Sequence, residues 1–334
     1  MASITDVAKK AGVSVKTVSR ILSGQDNVAD KTKDKVKRVM AELEYYPSAA
    51  AQSLRGQQKG IVCLIAEGLT TTPDAFEIVA GIQAECEKHN KLLMIGESGG
   101  NPKNFERLVT DFRQQRAQAI IYATMYHREV HIEQAFNKCP LILVNCFEAK
   151  LRHPTIVPND KLGAFEITNT LLNTGHQRIA YLTLFNDMQA TLLRVTGYKE
   201  AHHQHNLKAD KQLIIEGVCH HPEDEFDQLP NILENLFNMP SPPTAIMCGN
   251  DKMAMRVFML VRRMGYSIPE DISIVGYDDY KMIATNLLPN LTTVSLPYYE
   301  MGKKAAELAI NESVHEEVYQ VSGSLIKRQS HSVK

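Results

Sequence analysis

Four polar side chains stand where apolar runs end. Asn145 closes LILVN, Asn250 follows TAIMCG, Asp278 follows ISIVGY, and Arg194 opens the helix leading into TGY. Amide, carboxylate and guanidinium groups offer paired donors and acceptors, the chemistry that grips vicinal hydroxyls of a sugar. A second set lies near the start of the chain. Val15, Lys16 and Arg20 share the face opposite Val18 and Leu22 on a short helix, where base-edge readers of a major groove must sit. The small polar groups Ser14, Thr17, Ser19 and Asn27 suit phosphate oxygens. Each residue has a plainer use. Asn250 and Asp278 precede helices and can cap them, Arg194 can be a solvated helix arginine, and Asn145 can bond only backbone.

These residues need elements to hold them. The first 45 residues read as three short helices. Thr5 to Ala11 is broken by Gly12, Val15 to Ser23 is capped by Ser14, and Lys31 to Glu44 is capped by Asp30. Two helices joined by a tight glycine turn form a helix-turn-helix. The segment PSAAAQSLRG follows, a capped helix of about two turns, too short to be stable alone in water.

From Gly60 apolar runs of strand length alternate with amphipathic helices. Strands read at 61–66, 92–96, 119–123, 141–145, 178–183, 244–248 and 272–276. Helices read near 74–89, 101–115, 160–174, 190–205, 224–238, 250–264 and 298–311. Near-continuous apolar strands between helices imply α/β architecture with parallel sheets covered on both faces. The length implies two such units, broken near VPND at 157–160, with the chain after Pro289 crossing back. In paired open sheets a ligand belongs at the carboxyl ends of the strands, where the four polar residues stand.

Charge divides the chain. Residues 1–59 carry 11 Lys and Arg against 6 Asp and Glu, while the whole chain has a net charge of −1. A basic N-terminal module on an acidic body directs nucleic acid to the N-terminus. No apolar run reaches membrane-spanning length and MASITDVAKKAGVS has no signal-peptide core, so the expectation is a cytoplasmic protein without a membrane partner. Six scattered cysteines without a CxxC read as buried free thiols of a reducing compartment. HHQH at 202–205 and HH at 220–221 lack a ligand framework, so no metal is expected. GESGG at 96–100 lacks the GK[ST] of a phosphate loop, and no cofactor is implied. The strand-end set lacks an obvious nucleophile and base, which argues for binding over catalysis. A sugar-binding protein or an enzyme of the same layered class is the alternative.

The runs ITDVAKKAGVSVKTVSRILSG and VADKTKDKVKRVMAELEYYPSAAAQSLRG resemble the LacI/GalR family of transcriptional regulators. The likeness continues through LLNTGHQRIAYL, RVTGY, PTAIMCGND, IPEDISIVGYDD and LPNLTTV. It implies a repressor: a helix-turn-helix headpiece (1–46), a hinge helix and linker (47–59), and an effector-binding and dimerisation core (60–334) like periplasmic sugar-binding proteins. The core subdomains would span 60–159 with 291–319, and 160–290 with 320–334. The implied partners are a pseudopalindromic operator, a small sugar effector and a second copy of the chain. On the residues, the resemblance assigns Arg194, Asn250 and Asp278 to the effector, with Asn145 at a strand end that often touches ligand. Glu67, Thr72 and Phe76 fall in a loop that lines the family's cleft, and Phe185 is the candidate stacking aromatic, though both phenylalanines also fit a plain core. Leu296 stands where some members have a polar residue. In the hinge, Ala51 allows close approach to a partner helix, Leu54 wedges into a base step from the minor groove, and Arg55 meets phosphates or the groove edge. TTP, VNC, VPND, CGND and TTVSLP resemble the repressors of sucrose-utilisation operons.

Overall fold

The computed structural model describes residues 2–23, 28–46, 60–68, 75–133, 136, 139–221, 223–311 and 317–334. The chain divides into two units, 1–60 and 61–334.

In the first unit, helix α1 spans Ile4–Ala11, α2 Val15–Leu22 and α3 Asp30–Glu42. A capping box starts α1: the Ser3 hydroxyl accepts from the Asp6 amide, and Asp6 accepts from the Ser3 amide at 2.8 Å. The Ser3 hydroxyl and amide hydrogen bonds hold the Asp6 carboxyl below its ordinary pKa. Gly12 then turns the chain at φ 65°, a left-handed conformation that glycine enters without strain. Ser14 caps α2 by accepting from the Thr17 amide at 3.0 Å. Asp30, expected as a cap, is instead the first helical residue. Ala29 precedes it with no side-chain cap, and Asp30 places its charge in the first turn, where the helix dipole favours it. Val7, Ala8, Ala11, Val18, Val36 and Val39 form the buried core of this unit.

The second unit holds two parallel sheets. Its elements, in chain order, are β1 (Ile61–Ala66), α4 (Ala75–Lys88), β2 (Leu92–Glu97), α5 (Pro102–Gln114), β3 (Ala119–Glu129), β4 (Leu141–Phe147), β5 (Thr155–Pro158) and α6 (Asp160–Asn173). They continue with β6 (Ile179–Thr183), α7 (Gln189–Gln204), β7 (Ile214–Glu216), α8 (Leu229–Phe237), β8 (Ala245–Cys248) and α9 (Asp251–Arg263). The last are β9 (Ser273–Val275), α10 (Lys281–Ala284), β10 (Thr293–Val294), α11 (Tyr298–Asn311), β11 (Val318–Val321) and β12 (Leu325–Ile326).

The first lobe is built on a six-stranded sheet in the order β11-β5-β4-β3-β1-β2, all parallel. Alternation along its strands divides two cores. Val62, Leu64, Ile121 and Val144 meet α4 and α11, while Cys63, Ile65, Ile120 and Leu143 meet α5. Side chains that alternate faces yet are all buried explain why these strands read as unbroken apolar runs. The second lobe is built on the sheet β7-β6-β8-β9. Ala180, Leu182 and Ile246 meet α8 and α9, and Ile179, Tyr181 and Met247 meet α6 and α7.

The chain passes between the lobes three times. The first passage follows β5 at Asn159. The expected second passage, at 291, falls later. Thr292 bridges to Val275 and β10 pairs with β12, so this segment lies with the second lobe until Ser295. The return also falls later, after β11, whose four residues pair with β5 in the first lobe. Helix 224–238 begins at Leu229 instead, with Pro230 in its first turn where a missing amide costs nothing.

Candidate functional site

On the first unit, the face of α2 opposite buried Val18 carries Val15, Lys16 and Arg20, all exposed. Val15 is an apolar residue 42% exposed at the helix start. Thr17 and Ser19 are half-buried beside them. The Ser14 hydroxyl also pairs with the Thr17 hydroxyl at 2.9 Å, so the helix start is organised before any phosphate arrives. Asn27, Ala51, Leu54 and Arg55 lie outside the described residues, as does Thr72.

Between the lobes of the second unit lies a cavity of about 410 Å³, large enough for a mono- or disaccharide-sized ligand. It is lined by Asn145, Phe185, Arg194, Asn250 and Asp278 together, and by Leu296. Asn250 and Asp278 follow the ends of β8 and β9, Asn145 lies two residues before the end of β4, and Arg194 belongs to helix α7. Asn145 sits within β4 at φ 58° and its amide donates to the Thr124 carbonyl at 3.2 Å. Asn250 caps α9, accepting from the Met253 amide at 2.8 Å, so the capping use and a place in the cleft coincide. Asp278, at φ 117°, does not cap: Tyr280 occupies the cap position of α10.

Arg194 is not solvated. It is 4% exposed, its Nε donates to Asp160 Oδ1 at 2.7 Å and its Nη1 donates to the Gly249 carbonyl at 2.8 Å. The guanidinium carbon stands 3.7 Å over the Tyr277 ring. Burial disfavours its charge, but the Asp160 carboxylate, together with Tyr277, Asp278 and Tyr181, offsets this and holds the guanidinium above its ordinary pKa. Burial likewise pushes the Tyr277 hydroxyl well up, so it remains protonated and donates to the Asp160 carbonyl at 3.4 Å.

Two expected residues fall elsewhere. Phe76 is 61% exposed and lines neither cavity nor core, because the first turn of α4 turns it to solvent. Glu67 is one shell removed: its carboxylate accepts from the Met125 amide at 3.2 Å and pairs with Arg128, and both of those residues line the cavity. Phe185 is half-buried, packs on the second-lobe core and stacks on His220 with ring centroids 4.3 Å apart. His220, exposed on its loop, is part of the cleft wall.

Sequence reasoning missed the contribution of β3. Ala123 faces Val144 on β4, but the next paired residue, Arg128, faces Cys146, so the strand bulges over 124–127. Met125, Tyr126, His127 and Arg128 enter the cavity from this bulge. Asp187, Glu225 and Lys252 complete its charged lining. The acidic Asp251, next to Asn250, is wholly buried and accepts from the Thr293 hydroxyl at 2.7 Å and the Tyr280 amide at 2.8 Å. Burial raises its pKa, against those two hydrogen bonds, to about 7.

Among the described residues no group of three or more His, Cys, Asp or Glu side chains is placed to hold a metal, and no helix is long and apolar enough to cross a membrane. Five of the six cysteines are buried free thiols and Cys219 is half-buried. Burial pushes Cys63 and Cys146 up to about 12, which keeps them unreactive thiols.

Residues 3–48 match the family model of bacterial regulatory proteins of the lacI family, and residues 168–331 match that of the periplasmic binding protein-like domain. The ribose operon repressor of Haemophilus influenzae is 31% identical over 92% of this chain and 90% of its own. The HTH-type transcriptional repressor PurR of Vibrio atlanticus is 30% identical over 98% of both chains. The lac repressor dimer, solved bound to operator and an anti-inducer, superimposes with a TM-score of 0.81 over 99% of both chains at 23% identity. These relatives are repressors rather than enzymes.

Proposed function

The chain belongs to the lacI family of bacterial regulatory proteins, and from that premise we propose that it represses a carbohydrate-utilisation operon under the control of a small sugar. One observation carries the sugar reading. Arg194, Asn250, Asp278 and Asn145, contributed by separate elements of two lobes, line one cavity together with the half-buried ring of Phe185. Convergent amide, carboxylate and guanidinium groups beside an aromatic wall match the vicinal hydroxyls and C–H faces of a saccharide. Sucrose or a related saccharide is the finer reading, supported by the short motifs TTP, VNC, VPND, CGND and TTVSLP.

The protein acts in the cytoplasm as a homodimer on a pseudopalindromic operator, because two-fold protein symmetry mirrors half-site symmetry. Lys16 and Arg20, with Val15, read base edges in the major groove. Ser14, Thr17, Ser19 and Asn27 meet phosphates. Ala51 allows close approach to the partner helix, Arg55 meets phosphates or the groove edge, and Leu54 opens a central base step from the minor groove. Sugar binding re-angles the lobes and so changes the spacing of the two hinges of the dimer. The ligand shifts this equilibrium only by its differential affinity for the two arrangements. A catabolic sugar makes induction, release of the operator on binding, the expected sense.

Two measurements test the reading. Calorimetry of residues 60–334 against mono- and disaccharides, sucrose and ribose among them, is expected to give heat with at least one, and Arg194→Ala to abolish it. A gel shift on operator duplex selected by the full chain is expected to be lost with 60–334 alone. Specific binding by the core alone, or a saccharide response unchanged in Arg194→Ala, refutes the assignment.

A further inference from the structure

The bulge in β3 does more than line the cleft. It is pinned to the first lobe on both sides. The Thr124 hydroxyl is shared between the Tyr126 and Asn145 carbonyls, each at 2.9 Å, and Glu67 accepts from the Met125 amide. This fixed loop holds His127, 6% exposed, edge-on against Phe147 of β4 at 5.7 Å and turns it toward Asp160 at the start of the second lobe. His127 Nδ1 lies 2.9 Å from Asp160 Oδ2. A carboxylate only accepts, so Nδ1 carries the proton in this arrangement. The other oxygen of Asp160 accepts from Arg194 Nε.

One buried carboxylate is therefore shared between a side chain of the first lobe and the cleft arginine of the second. Asp160 is the first residue of α6, directly after the first passage of the chain between the lobes. A hydrogen bond so near that passage acts as a strut. A small change in the angle between the lobes changes its length and direction, and buried charged groups tolerate little such change. Arg194 also packs on Tyr277 and the Gly249 carbonyl, so it cannot swing freely to compensate. The first-lobe strand and helix α7 are in contact beside the same pair.

We propose that His127 is the positioning residue that joins the lobe angle to the orientation of Arg194, through Asp160. The inference rests on the reading of the cleft as the effector site. His127 itself need not touch the sugar. It sets which lobe angle presents Arg194 correctly, and thereby makes ligand recognition and lobe closure one equilibrium.

The test uses the full chain without ligand. Nitroxide labels are placed at two exposed positions, Glu106 on α5 of the first lobe and Lys211 in the second, each replaced by cysteine. Cys219, the half-buried thiol, is replaced by serine, and labelled protein is diluted with unlabelled chain so that only distances within one chain are read. His127→Gln and His127→Ala, which both remove the Nδ1 donor, are expected to shift or broaden the distance distribution. His127→Asn, whose amide can donate from the Nδ1 position, is expected to restore it. A distribution unchanged in a folded His127→Gln or His127→Ala protein overturns the proposal. A second readout is operator affinity with and without sucrose, ribose and cellobiose as probes. The ratio is expected to fall toward one in His127→Gln and to recover in His127→Asn. If Arg194→Ala loses the response while His127→Gln keeps both the response and the distances, the strut fails and the effector site stands. If Arg194→Ala also keeps the response, the effector-site reading itself fails.

Discussion

Asp160 is wholly buried and its removal leaves Arg194, 4% exposed, with its charge uncompensated. Breaking a buried ion pair by deleting one partner costs about 3–5 kcal/mol. The structure grades the effect. Tyr277 lies 3.7 Å beneath the guanidinium, a contact that contributes up to about 2 kcal/mol when desolvated, and the Gly249 carbonyl remains as an acceptor. Asp160→Asn keeps one acceptor oxygen and the shape, so it is expected to cost about 2–3 kcal/mol, the scale of a hydrogen bond to a charged group. Asp160→Ala strands both Arg194 and His127 and is expected to reach about 5 kcal/mol. Arg194→Met replaces the charge with an apolar chain of similar length. The double variant Asp160→Asn, Arg194→Met is expected to be more stable than the sum of the single effects by about 2 kcal/mol, since buried pairs exchange for apolar groups at little cost. Urea unfolding followed by far-UV circular dichroism measures all four proteins. The chain has no tryptophan, so fluorescence is a poor reporter. If Asp160→Asn costs less than about 0.5 kcal/mol and the two changes add within that margin, the pair carries no energy and the argument from burial is wrong.

Three further outcomes follow from local geometry. Ser14→Ala deletes the cap on the Thr17 amide and is expected to destabilise the first unit by about 1 kcal/mol; calorimetry that shows no loss in that unit refutes the cap's role. Gly302→Ala places a methyl 2.2 Å from the Ile78 carbonyl, where α11 crosses α4; the strain of about 1–3 kcal/mol is expected to exceed the gain of about 1 kcal/mol in helix propensity, and a raised melting temperature contradicts it. Asp251 has its folded pKa raised from 3.8 to about 7, so its contribution is fully present below the unfolded value and is lost as pH rises through the folded one. Asp251→Asn removes this titration, so its melting temperature relative to the parent is expected to climb across that window and level off above it; a constant difference refutes it.

Much of this architecture is legible in the sequence because burial on both faces leaves an unmistakable trace. The runs 61–66, 119–123 and 141–144 are apolar without interruption, and parallel strands between two helical layers demand that. Strands β5, β7, β10 and β12 have only two to four residues, too few for periodicity to show. Asn145, Asn250 and Asp278 could be found because the carboxyl end of a parallel strand marks a ligand crevice wherever it occurs. His127 and Arg128 could not, since they reach the cleft through a bulge that depends on pairing with β4. Phe76 misled for the converse reason: a position in the right loop does not decide which way one helical turn faces. The start of α8 was available in Pro230, which belongs in a first turn and not in the middle of a helix.

The late return of the chain has a consequence for synthesis. The edge of the first-lobe sheet beyond β5 is filled by β11, more than 150 residues downstream, and the second lobe is closed by the bonds of Ser330 to Ile274 and of Lys334 to Thr174. A nascent chain that has emerged as far as α11 therefore has neither lobe finished, and strand β5 presents an unpaired edge. The three-helix unit, complete by residue 46, is free to fold first. During translation the cell thus holds a formed headpiece attached to an unfinished sensor. A ribosome stalled before β11 would release a chain able to fold its first unit and unable to close the lobes that are to control it.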